Sequence, residues 1–89
     1  MRIKRYLVNV QPDQVLKAEI LAGAVTLTIR YPDGRPVENA SGVVTWNARI
    51  FEGGDYQIDV VATQPTDFTI SVAVQEVRLL IIRQISRIN

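Results

Sequence analysis

The chain has no cysteine and no histidine. Their absence removes disulfide staples, the usual zinc ligand sets, Cys or Ser–His nucleophile pairs and imidazole acid–base chemistry. Aromatic residues make up 7%. No apolar run is long enough for a membrane helix: the Val77–Ile82 stretch is cut by Arg83, far short of the roughly 20 residues such a helix needs. Leu7–Val10 is too short and too polar for a signal-peptide core. Such a chain reads as soluble, as a mature form or an excised domain. Net charge is only +1, so no general attraction to nucleic acid or acidic membranes is expected.

What remains is 89 residues, 47% of them hydrophobic. That is enough for one small core and too apolar for a disordered tail. The charge is unevenly placed. Met1–Arg5 carries Arg2, Lys4 and Arg5, and Val77–Asn89 carries Arg78, Arg83 and Arg87, neither with an acid. Each end is +3, and the stretch between them is −5. Basic residues at the ends of apolar strands keep them soluble, which is the simplest account of both clusters.

The dominant pattern is alternation with a period of two, the signature of half-buried strands. Tyr6, Val8 and Val10 alternate with Leu7 and Asn9. Leu16, Ala18 and Ile20 form a second set, and Val25, Leu27, Ile29 and Tyr31 a third. Val43–Ile50 is strand-like around Trp46. Tyr56, Ile58, Val60 and Ala62 follow, then Phe68, Ile70, Val72 and Val74. Turn signals fall between them: Pro12-Asp13-Gln14, Ala22-Gly23, Pro32-Asp33-Gly34, Gly53-Gly54-Asp55 and the Pro65 region. Arg35–Glu38 reads as a short extended piece and Asn39-Ala40-Ser41-Gly42 as a loop. Strands with turns every ten residues or so predict an all-β antiparallel sandwich of seven or eight strands over residues 1–76.

Residues 77–89 form a basic, apolar extension. Val77, Leu80, Ile81, Ile85 and Ile88 fit helical spacing, whereas the isoleucines favour strand. An extra strand, a short amphipathic helix and a tail ordered only in an assembly are the three readings.

Motifs for chemistry are nearly absent. Asp13, Asp33, Glu52, Asp55 and Asp59 lie in or near turns, without calcium-loop or paired-carboxylate spacing. Asp33 and Asp55, each beside a glycine, read as turn formers bonded to local amides. Gly53-Gly54 lacks the sequence of a phosphate cradle, and Ser41, Ser71 and Ser86 have no histidine to activate them. No catalytic, cofactor-binding or metal residue is assigned, no binding residue is identified, and an enzyme is not expected. Trp46 reads as a core residue, with a ligand-stacking platform as the alternative. Most tyrosines and phenylalanines fall on inward faces, which argues against a nucleic-acid surface.

The run "RYLVNVQPDQVLKAEI", "VTLTIRYPDGRPV", "VTWNARIFEGGDYQIDVVA" and "TDFTISVAV" resembles the bacterial pre-peptidase C-terminal domain and its relatives. Pro32-Asp33-Gly34, Trp46, Gly54-Asp55-Tyr56 and Phe68 occur in the order that family has them. The resemblance implies a jelly-roll-like accessory module without catalysis, binding a protein or polysaccharide. It implies a secreted, periplasmic or membrane-linked setting. Related sandwiches inhibit lysozyme through a Ser-Gly loop, which Ser41-Gly42 matches only loosely, so inhibition of lysozyme or a protease is one alternative. A small oligomer-forming structural protein is another. The family has a strand before the Tyr6 strand, where this chain has only Met1–Arg5. The surplus segment 77–89 is expected to cover the edge so left, or that edge to serve a homodimer.

Overall fold

The computed structural model describes residues 1–76, and the expectations for 77–89 lie outside the described residues. Seven strands follow one another: β1 (Arg2–Val10), β2 (Gln14–Ala22), β3 (Thr26–Arg30), β4 (Pro36–Val43), β5 (Thr45–Arg49), β6 (Gly54–Ala62) and β7 (Thr69–Glu76). They form two sheets, ordered β1-β6-β3-β4 and β5-β2-β7, with every pairing antiparallel. The expected all-β sandwich is the architecture found. Strands from the start of the chain pair with strands from its end, β1 with β6 and β2 with β7, so the long-range pairs in the two sheets interleave along the sequence.

Alternation decides which side chains meet between the sheets. Leu27, Ile29, Ile58 and Val60 face inward from the four-stranded sheet, and Leu16 and Ala18 from the three-stranded one. Ala18 lies in register with Trp46 on one side and Val72 on the other. Its small side chain leaves room for the indole, which packs against both core clusters.

The Pro32 turn forms as its sequence requires. Gly34 N donates to Tyr31 O (2.9 Å) and Tyr31 N to Arg35 O (2.9 Å), a tight turn followed by a glycine at φ +93°. A type I turn followed by a left-handed glycine is a common hairpin closure, the glycine accepting the positive φ that a side chain resists. At Gly54, φ is +152° and an added Cβ would stand 2.7 Å from Pro32 Cγ, so glycine is needed there on two counts.

Three expectations are corrected. Asn39–Gly42 is not a loop but part of β4, bent by left-handed Asn39 (φ 60°) and Gly42 (φ 68°) and paired irregularly with β3. Asparagine and glycine tolerate that conformation, so the strand kinks instead of ending. Arg2–Arg5 is not a remnant before the first strand; it is the first half of β1, in register with Asp59–Ala62. Asp59 is not near a turn but in the middle of β6, 1% exposed.

Candidate functional site

The acids expected at turns have separate structural duties. Asp33 Oδ1 accepts from Arg35 N (2.9 Å) and its Oδ2 from Arg35 Nε (2.7 Å). These contacts hold its carboxyl below the ordinary aspartate range. Asp55 bonds across the sheet to Asn9 Nδ2 (2.9 Å) instead of to a local amide. Asp13, left-handed at φ 72°, pairs with Arg49 (3.1 Å). The Glu52 carbonyl accepts from the Tyr56 hydroxyl (2.8 Å). Among the described residues no group of three or more acids is placed to hold a metal ion. Ser41-Gly42 lies exposed on β4, and Ser71 on β7.

Asp59 is the one buried charge among the described residues. Arg5 binds it through two bonds, Nε to Oδ1 (2.7 Å) and Nη2 to Oδ2 (3.0 Å), and Arg30 Nε adds a third (3.0 Å). The Arg5 hydrogen bonds lower the Asp59 pKa, burial opposes them, and Arg30 adds to the lowering. All its charge-assisted bonds go to side chains of its own sheet, so this cluster ties β1, β6 and β3 together.

Two cavities open on the sandwich. One, of about 560 Å³, lies where Arg2 and Lys4 of β1 meet the 64–68 segment and Phe68. The other, of about 490 Å³, follows the seam where β4 and β5 bring the two sheet edges together. The chain changes sheets there through Val44 alone. Four of its aromatic residues line this second groove: Tyr31, Trp46, Phe51 and Tyr56. Tyr6 and Phe68 are the two that do not.

Each aromatic arrives by a different route. Trp46 comes from the inward face of β5, Tyr56 from the inward face of β6, Tyr31 from the end of β3, and Phe51 from the β5–β6 turn. Tyr31 and Tyr56 meet with ring centroids 6.1 Å apart and planes at 59°, within the favoured tilted range. The Arg35 guanidinium lies 5.1 Å from the Tyr31 ring centre. The Tyr31 hydroxyl donates to Glu38 Oε2 (2.8 Å), and that carboxylate raises the phenol's pKa. Burial raises that of Tyr56. Phe51 is different: 79% exposed, it projects at the mouth of the groove.

Trp46 packs as the core residue expected from the sequence, and it also reaches the groove. The groove as a whole could not be read from the sequence, because no spacing links residues 31, 46, 51 and 56. The out-of-place signal was Phe51, a large apolar residue beside a Gly-Gly turn.

No family model matches the chain, and neither any curated protein nor any solved structure matches it.

Proposed function

We propose that the protein is a non-catalytic binding module that takes an extended ligand in the aromatic groove between β4 and β5. The carrying observation is the concentration of Tyr31, Trp46, Phe51 and Tyr56 along one open groove, with Phe51 turned to solvent. Aromatic rings offer large flat contact area at small entropic cost, and a pre-formed groove limits the ordering that binding requires. An accessory role agrees with the resemblance to the pre-peptidase C-terminal domain. The ligand classes are a polysaccharide, whose sugar rings stack on aromatic faces, and a protein segment.

Two probe sets test the reading: insoluble cellulose, chitin and xylan, and a phage-displayed library of random linear peptides. Retention of a member of either set is expected, and Phe51→Ala is expected to weaken it about tenfold or more, since exposed aromatics at binding surfaces carry much of the energy. Phe51 is exposed, so its truncation leaves the core intact. No retention from either set, or retention unchanged in Phe51→Ala, overturns the reading.

A further inference from the structure

We propose that the groove's ligand is an extended peptide that adds a strand to the free edge of β5, with alternate side chains set into the aromatic groove. This rests on the reading of the groove as a binding site. Among the described residues β5 borders only β2, so its other edge has no partner strand among them. Hydrogen bonds at both ends of the pairing fix which residues face that edge. Ile50 N donates to Gln14 O (2.8 Å) and Val44 O accepts from Ile20 N (2.8 Å). Within the antiparallel register, residues 44, 46, 48 and 50 bond to β2. The N–H and C=O groups of Thr45, Asn47 and Arg49 therefore point outward.

The same alternation sends the side chains of Trp46 and Ala48 into the groove. A strand added to β5 would place its residues opposite Trp46 and Ala48 on that same face. Backbone bonding would supply affinity and the groove would choose side chains, the two halves of recognition by strand addition. Other edges are less suited: β7, on the far side of β2, contributes no residue to the groove. β1 carries charges at Arg2, Lys4 and Arg5, and β4 begins at Pro36 and is kinked at Asn39 and Gly42. β5 has neither proline, glycine nor bulge.

Charge sets the peptide's composition. The charged residues lining the groove are Arg35, Arg49 and Glu52; Arg35 is paired with Asp33 and Arg49 with Asp13. With both arginines paired, Glu52 is the charge the groove offers, so the fitting segment has apolar residues at alternate positions, a basic residue beside them and no run of acids.

The test uses a peptide selected from the random library, with the full chain. Asn47→Pro removes one outward N–H without touching a β2 bond, a substitution that edge strands accommodate. It is expected to weaken the peptide about tenfold or more, while Phe51→Ala does the same through the groove. As a second measurement on the unaltered protein, the amides of Thr45, Asn47 and Arg49 are expected to gain protection from solvent exchange when the peptide binds. This reading does not depend on the proline variant folding. If peptide binding survives Asn47→Pro without protection of those amides, but fails in Phe51→Ala, strand addition is wrong and the binding groove stands. Retention of chitin, cellulose or xylan with no peptide selected has the same consequence. If Phe51→Ala also has no effect, both proposals fall. A dimer in the absence of peptide that dissociates in Asn47→Pro assigns the edge to a second copy and overturns the foreign peptide.

Discussion

Among the described residues β1 and β5 are both edge strands, and they manage their unpaired sides in opposite ways. β1 is nine residues long, yet Arg2 and Lys4 share register with the inward-facing Ala62 and Val60. Charges aimed toward the interior of a sandwich make an edge hard to extend, because a strand added there would cover them. β5 has five residues, with Trp46 and Ala48 on the inward face and no charge there. One edge is closed by side-chain chemistry; the other is left short, regular and flanked by aromatics. The +3 cluster at the N-terminus therefore serves the fold. Arg5 anchors Asp59 and so holds β1 to β6, whereas the contact of Lys4 with the Tyr6 ring, 5.5 Å from its centre, lies within β1.

The largest effect should follow from breaking the anchor of the closed edge. Asp59→Ala strips both Arg5 and Arg30 of their shared partner. Losing one member of a buried ion cluster costs roughly 3–5 kcal/mol. The arginine side chains are 50% and 29% exposed and recover hydration, so the low end applies, about 3 kcal/mol. In a domain of this size that lowers the melting midpoint on the order of 15 °C. Calorimetry on the variant checks it. A loss below about 1 kcal/mol would mean that β1 is held by its backbone ladder alone.

The same cluster gives a pH dependence of definite sign. Asp59 has a folded pKa below its unfolded value, the latter about 3.9. Its contribution is therefore fully present above about pH 4 and is lost as pH falls through the lower, folded value. Asp33 and Glu38 are shifted in the same direction and act in the same window. Melting midpoints from pH 6 down to about pH 2.5 should fall more steeply for the parent than for Asp59→Asn. Parallel curves would place the acid sensitivity elsewhere.

How much of this contrast is legible in the sequence differs between the two edges. The inward set of β5 and the turn at Pro32-Asp33-Gly34 follow from alternation and turn chemistry, which are local. β1 is only half legible. Arg2–Arg5 lacks apolar alternation, and its strand character comes from Asp59, a partner 54 positions away. β4 is hidden for the converse reason: Asn39 and Gly42 carry turn composition but are absorbed as kinks within a paired strand. The groove is the least legible, since four elements contribute its rings and only the topology brings β4 beside β5. Gly54 and Ala18 make room for neighbours that no local pattern names.

The smallest expected change in folding, and the most direct comparison of the two edges, is Lys4→Val. Val is a better strand former than Lys and pairs well with Val60 opposite, so stability should rise by a few tenths of a kcal/mol. The cost appears in association. With one of the two inward charges gone, β1 presents Ile3 (52% exposed) and Leu7 (66% exposed) along an edge guarded on its inward side by Arg2 alone. Sedimentation velocity across a dilution series should give a larger mean mass for Lys4→Val than for the parent at equal concentration. Lys17→Val, an outward change at the centre of β2, should have no such effect, because β2 is paired on both sides. Equal masses for Lys4→Val and the parent would mean that the charge at position 4 does not guard the edge. In that case the difference between β1 and β5 would rest on Arg2 and Arg5, or on the twist of the sheet, and not on an inward-pointing lysine.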